Sequence, residues 1–382
     1  MGIDTLVIGA GPAGLAVAAS LRMRGQAATV IERAPEIGAA WRAHYGRLRL
    51  HTVKEESALP GLPFPKGYPR YVPREQMVRY LEAYAVHFSI EPLLGCEAGT
   101  VVPHGPGGWE VATTAGDRLH ARRIVVATGA NAWPRQPELP GRDRFTGTVL
   151  HSRDYRNASD WAGKRVLVVG MGNSGAEIAL DLVEHEVAVT LSVRSPVNIV
   201  YRDTLGRPTQ VTSLLLARLP ETLGDYIARV ARDITVGDLS RWGLRISPES
   251  PLRDLRRHGR TPVIDVGTVA RIKAGDIRVR PDVAALGADT VRFVDDSEEA
   301  IDAIILATGY EARLQRLFPQ TALPLDDRGL PRSVVGTGPL EGVCFVGFDI
   351  RQPGGLLRAI GRQARAVADV VAGHGLQLRE LA

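Results

Sequence analysis

Six glycines in this chain fall at spacings that serve phosphate binding. Residues 4–14 read DTLVIGAGPAG and residues 165–175 read RVLVVGMGNSG, so Gly9, Gly11 and Gly14 are answered by Gly170, Gly172 and Gly175. In such a turn the first glycine allows the tight bend out of a strand. The second lets the backbone approach a pyrophosphate, and the third lets the following helix pack on the strand. Pro12 and Ala13 complete the first turn, Asn173 and Ser174 the second. Each turn opens a helix whose unpaired N–H groups and dipole favour an anion. Both units then close on Ala-Thr-Gly, with Thr128 and Gly129 ending the first and Thr308 and Gly309 the second. This internal duplication outweighs either motif alone and implies two dinucleotide-binding folds.

The elements that must position these turns are readable as well. LVIG and VLVVG are short apolar runs, as expected of parallel strands buried on both faces. AGLAVAASLRMRG and AEIALDLVEH follow as helices, and ATVIE and VAVTLSV as the next strands. The first of these strands ends at Glu32, with Arg33 after it; the matching place in the second unit is read as Arg194, with Ser195 after it. An acid there accepts from a free ribose hydroxyl, while an arginine accommodates a 2′-phosphate, so the first site is expected to take FAD and the second NADPH. The fold class is α/β: two Rossmann-like, three-layer ββα dinucleotide-binding domains, the NADPH domain inserted into the FAD domain. The expected borders are 1–150 with 315–382 for FAD and 151–314 for NADPH, the latter with a helical insert at about 196–260. That insert either covers an active site or makes an oligomer contact.

Bulk properties narrow the class. A chain of 382 residues is long for one core, and 45% hydrophobic with 23% charged residues is an ordinary globular composition. The net charge of +5 comes from arginines spread along the chain, which argues against a nucleic-acid partner. Cys96 and Cys344 form no CxxC pair, so neither a disulfide scaffold nor a redox dithiol is expected, and a cytoplasmic location is the default. A strand beginning by residue 4 leaves no room for a signal peptide, and no apolar run reaches the length of a membrane span.

Two further segments invite a cofactor role. Residues 33–75 form a long Pro- and Gly-rich stretch, and such loops are usually functional. Within it Trp41 and Arg42 either lie against a flavin ring and its pyrophosphate or form a surface stack. The final stretch reads as strand, Gly-rich loop and helix, and Gly347 and Leu356 are its cofactor-contact candidates, the helix start facing a flavin ring.

The ordered set GAGPAG, WR, RLRLHT, LPGLPFP, YPRYVPREQMVRYLEAYA, FTGTVLHSRDY, KRVLVVGMGNSGAEIALDL, GRTPVIDVG and ILATGY resembles the class B flavin monooxygenases over nearly the whole chain. Within that class it is most similar to the YUCCA-type indole-3-pyruvate monooxygenases of plants. FTGTVLHSRDY carries the class pattern FxGxxxHxxxY through Phe145, Gly147, His151 and Tyr155. The resemblance implies that His51, in the pattern LxLH, stands near the reacting edge of the flavin, and that His151 and Tyr155 belong to the domain junction near the nicotinamide. These three are the catalytic candidates, with structural roles as the competing reading. The resemblance further implies a cycle in which NADPH reduces FAD and oxygen adds to give a flavin hydroperoxide. The partners are then a small-molecule substrate and molecular oxygen. A 2-oxo acid would lose carbon dioxide; an amine or sulfide would receive oxygen instead. A catalytically silent NADPH-sensing flavoprotein is the third reading.

A 2-oxo acid brings a carboxylate that cannot be buried unpaired, so an arginine or lysine must meet it. Lys54, Arg202, Arg207 and Arg351 are the candidates, and Arg202 and Arg207, bracketing a polar turn, are the favoured pair.

Overall fold

The two glycine turns sit at the carboxyl ends of two deeply buried strands. Leu6 and Val7 of one and Val166, Leu167 and Val168 of the other are shut off from solvent. A computed structural model describes residues 2–373. The chain divides into two compact units: one holds the residues up to Ala43, Thr52–Trp133 and those from Tyr310 onward, the other His44–His51 and Pro134–Gly309. Both borders lie earlier than 150 and 315, and packing explains why. Thr148–His151 is a strand of the second unit's sheet, while Ala312 and Leu314 belong to the first unit's core. No described helix is long and apolar enough to cross a membrane.

In the first unit, Ile3–Ile8 is flanked in parallel by Thr29–Glu32 and Arg118–Val126. The long strand Arg118–Val126 serves two neighbours on its far side. Its first half pairs antiparallel with Gly108–Thr113, which pairs in turn with Ala98–His104; its second half pairs parallel with Val343–Phe345. The helices Pro12–Arg22 and Leu356–Val371 pack together on this sheet, each burying its small and aliphatic residues. Cys344 is buried in Val343–Phe345, where desolvation pushes its thiol up to about 12 and makes it inert.

The second unit repeats the plan with a five-stranded parallel sheet. Arg165–Val169 lies between Ala188–Ser192 and Ala303–Leu306; Ile277–Arg280 and Thr148–His151 form the outer strands. The place that Val343–Phe345 fills from the chain's end in the first unit is filled here by Thr148–His151, from the segment before the glycine turn. The insert at 196–260 is not purely helical. Thr209–Leu216, Glu221–Val236 and Pro251–His258 are its helices, but Ile199–Tyr201 pairs with Val263–Asp265, and Asp203–Thr204 folds back on Arg207–Pro208 as a two-residue hairpin. The strands at the insert's two ends pair with each other and so bring its ends together.

The third glycine of each turn is fixed by contact. A Cβ on Gly14 would stand 1.8 Å from the Gly9 carbonyl oxygen, and one on Gly175 would stand 2.0 Å from that of Gly170. Nothing larger than hydrogen fits, and backbone cannot swing aside as a side chain can. Overpacking of this kind costs about 1–3 kcal/mol or more. Gly14→Ala and Gly175→Ala should therefore lower the thermal midpoint by several degrees, followed by circular dichroism. Gly67→Ala, which meets only open space, should leave it unchanged; equal midpoints for all three variants would remove the constraint.

Candidate functional site

Two cradles are built alike. Gly9 and Gly170 take φ of 110° and 102°, a region open to glycine, and a Cβ on either would come 2.7 Å from the carbonyl oxygen of Ala127 or Ala307. The Ala-Thr-Gly segments thus press against the first glycine of each turn. Gly11 and Gly172 are the N-caps of the two helices, with φ, ψ of −81°, −172° and −93°, −173°. A Cβ on either would meet no atom within 4 Å. Neither helix has a side-chain cap or an acid in its first turn, so its N–H groups and positive dipole end are left for an external anion. Open space over the second glycine, with uncapped donors behind it, fits a pyrophosphate in both units.

The strand ends differ between the units. The Glu32 carboxylate accepts from the backbone N–H of Ala10 at 2.7 Å and of Ala34 at 3.0 Å, bracing the first turn. In the second unit the register shifts the expected match. Gly9 N–H donates to Ile31 and Gly170 N–H to Ser192, so Val193 stands where Glu32 stands and Arg194 is the counterpart of Arg33. Arg33 leans over the Trp133 ring at 5.8 Å. Arg194 is exposed, two residues past its strand, and among the described residues its guanidinium has no partner; its carbonyl accepts from Arg245. Ser195, next to it, is likewise exposed. Asn173 does not turn its amide outward. Its Nδ2 donates to Pro262 O and its Oδ1 accepts from Ile264 N–H at 2.7 Å, so it pins the segment after the insert to the glycine turn.

The helix Asn173–Glu184 does more than start a cradle. Glu177, Asp181 and Glu184 share one of its faces by their spacing, and that face holds the strap His44–His51. His51 Nε2 lies 2.7 Å from Glu177 Oε1, and Arg47 reaches Glu184 at 2.8 Å and Asp181 at 3.5 Å. The Tyr155 hydroxyl donates to Asp181 Oδ2 at 2.6 Å, its ring packed against Tyr45 and Trp161. Burial, with the Asp181 carboxylate beside it, holds that phenol protonated far above its usual range. This stripe was missed in the sequence, although acids at 177, 181 and 184 facing a strap RAHYGRLRLH carried the signal.

Both ring nitrogens of His151 are engaged within the second unit. Its ring is buried at the end of Thr148–His151; Nε2 donates to Gly309 O at 3.1 Å, and Nδ1 accepts from Arg153 N–H at 3.1 Å. It thereby clamps the second Ala-Thr-Gly, whose Gly309 O also accepts from Arg135 N–H and whose Thr308 hydroxyl donates to Arg135 O. The Tyr155 hydroxyl is likewise engaged, on the Asp181 carboxylate. Both side chains of the FxGxxxHxxxY pattern hold the second unit together.

The other candidates separate by what already holds them. Trp41 and Arg42 end the short helix Ala39–Arg42, and Arg42 binds Glu36 and Ile37 O in the loop and Glu82 on the helix Arg74–His87. Gly347, at φ 88°, faces Ala13 across the start of the first helix, and its N–H donates to buried Gln363. Leu356 opens the last helix after the glycine pair Gly354–Gly355. Among the substrate cations, Lys54 donates to Lys66 O and Tyr68 O, and Arg351 pairs with Asp326 and Asp327. Arg202 lies 3.5 Å from Asp203, and Arg207 is exposed on the hairpin. The charges of Lys54 and Arg351 are thus already engaged, and that of Arg207 lies in water.

A family model described as flavin-binding monooxygenase-like matches residues 4–322. Indole-3-pyruvate monooxygenase YUCCA1 of Oryza sativa subsp. japonica is 42% identical over 312 residues, spanning 81% of this chain and 77% of that protein. Indole-3-pyruvate monooxygenase YUCCA8 of the same subspecies is 37% identical, spanning 96% and 90%. Among solved structures, a flavin-containing monooxygenase from Stenotrophomonas maltophilia superposes with a TM-score of 0.76 at 22% identity, covering 98% of this chain and 99% of its own; at that identity the likeness is one of fold.

Burial lowers the His151 pKa from its ordinary 6.5, against the opposing pull of the Gly309 carbonyl and Asp154. The unfolded chain then binds this proton first as pH falls. The stability that neutral His151 contributes is complete above about pH 6.5 and is lost progressively below it. His151→Gln keeps a donor for Gly309 but cannot titrate. Its thermal midpoint should fall less than that of the wild type between pH 7 and pH 5.5, whereas parallel curves would mean that the imidazole is not held neutral.

Proposed function

This chain belongs to the flavin-binding monooxygenase-like family and is an enzyme with FAD and NADP(H) as cofactors, and from that premise we propose that it catalyses NADPH-dependent oxidative decarboxylation of an aromatic 2-oxo acid such as indole-3-pyruvate. The balanced reaction joins the 2-oxo acid, oxygen, NADPH and a proton to give the acid one carbon shorter, carbon dioxide, NADP+ and water. The similarity to indole-3-pyruvate monooxygenases over four-fifths of the chain carries the substrate. The duplicated cradle supports the need for two dinucleotides.

Bound flavin supplies oxygen activation, and the chain supplies placement. In this reading the Gly11 cradle and the helix Pro12–Arg22 receive the FAD pyrophosphate, with Pro12, Ala13 and Gly14 shaping the turn and Glu32 holding it at the ribose side. Thr128, Gly129, Gly347 and Leu356 border the same unit's site. The Gly172 cradle, with Ser174 in its first turn, receives the NADPH pyrophosphate. Arg194 and Ser195, exposed past the strand end, meet the 2′-phosphate. His51, beside Glu177, remains the candidate for the reacting edge of the flavin.

A second reading draws support from the cations. With Lys54 held by two backbone carbonyls, Arg351 paired with carboxylates and Arg207 in water, a neutral amine or sulfide would need no buried counter-charge. Product analysis separates the two. Purified enzyme with NADPH and air should release carbon dioxide from indole-3-pyruvate or phenylpyruvate in step with NADPH oxidation. If neither acid is decarboxylated while a neutral amine or sulfide is oxygenated, the second reading replaces the first.

The cofactor assignment has its own test. Gly11→Ala puts a methyl where the FAD pyrophosphate must lie, and Gly172→Ala does the same for NADPH. Both variants should fold, since neither methyl meets protein. Gly11→Ala should purify colourless, and Gly172→Ala should stay yellow but bind NADPH at least about tenfold more weakly, a loss of roughly 1.4 kcal/mol. The reverse pattern would exchange the two sites.

A further inference from the structure

The antiparallel meander of the first unit carries a group of side chains that the proposed reaction does not use. Along Gly108–Thr113, Trp109 and Val111 point into the core, so Glu110 between them points to solvent. Its direct partner across the ladder is His120, and His104 stands diagonally opposite on the other neighbouring strand, facing Gly108. Three strands thus bring two imidazoles and one carboxylate to one patch.

The patch is ordered. Glu110 Oε2 lies 3.0 Å from His120 Nε2 and 3.9 Å from His104 Nδ1. The two rings stack at 4.2 Å with 7° between their planes, so both turn a nitrogen to the same oxygen. The other carboxylate oxygen, Oε1, accepts from Arg118 at 2.8 Å. That bond fixes the carboxylate plane and keeps Oε2 aimed at the rings, as an outer partner does for a metal ligand. Among the described residues this is the one group of three or more His, Cys, Asp or Glu side chains whose donor atoms lie within 4.8 Å of one another.

We propose that His104, Glu110 and His120 bind a divalent transition-metal ion of the zinc, nickel or copper class. Two imidazole nitrogens with one carboxylate oxygen are the donors such borderline ions prefer, whereas magnesium and calcium take oxygen alone. Bonds of about 2.0–2.2 Å in tetrahedral array set donors about 3.4 Å apart, and the two distances here bracket that spacing. Three protein ligands leave further positions for water. Arg118, its side chain 69% exposed, lies on the far oxygen, where solvent screens its charge from the ion. A bound ion would tie Ala98–His104 to Arg118–Val126 across the strand between them and so stabilise the unit by mass action.

The test uses tag-free, chelator-treated yellow holoenzyme titrated calorimetrically with zinc sulfate. The wild type should take up one equivalent in the micromolar range with a rise in thermal midpoint, while magnesium chloride gives no heat. His104→Ala, His120→Ala and Glu110→Gln should each weaken zinc binding about tenfold or more, with metal-free midpoint and NADPH oxidation unchanged. With copper(II), electron paramagnetic resonance should show two imidazole nitrogens in the wild type and one in either histidine variant. Absence of zinc uptake by the wild type, or wild-type zinc affinity retained in both histidine variants, would overturn the proposal.

Discussion

Each cofactor cradle depends on one contact between backbone atoms. The third glycine of the turn rests on the carbonyl of the first, so closely that a methyl group would overlap it at 1.8 Å in one unit and 2.0 Å in the other. This contact sets the helix down directly after the strand and leaves its uncapped N-terminus over the strand's carboxyl end. The second glycine then has open space above it because the helix axis is already fixed. Phosphate binding is here a consequence of packing: the fold makes the donors, and no side chain need be recruited to hold the charge.

The second helix adds a duty that the first lacks. One end faces the cradle, while its acidic face binds a strap whose sequence neighbours fold in the other unit. Glu177 is buried and answered by His51; Asp181 is buried and shared by Tyr155 and Arg47. Buried carboxylates of this kind are costly unless every one is partnered, so strap, linker and helix must form together. His151 extends the same logic to the second Ala-Thr-Gly. His51, His151 and Tyr155 all make contacts within the second unit.

The sequence made the strands, the glycine turns and the duplication legible, because each rests on local rules: buried apolar runs, positive φ and helix starts. It was less informative wherever a side chain's partner lies far along the chain. Asn173 sits in a phosphate-loop motif, yet its amide is claimed by residues near 263, which no local pattern announces. The strand-end match of Arg194 to Glu32 is off by one residue. Residue count from the first glycine aligns it with Arg33, since equal spans separate Gly9 from Ile31 and Gly170 from Ser192. Insert strands of two or three residues fall below any periodic signal, so the segment read as helical. The His104, Glu110 and His120 patch depends on strand register, which alternation alone cannot give across two hairpins.

We propose that one fold, used twice, holds FAD and NADPH for reaction with each other. An anaerobic titration of the purified yellow protein tests it most directly. With flavin absorbance as readout, one FAD per chain should be present and bleach completely with about one equivalent of NADPH, while NADH should require a large excess. A protein that carries no flavin, or whose flavin stays oxidised under saturating NADPH, would contradict the account.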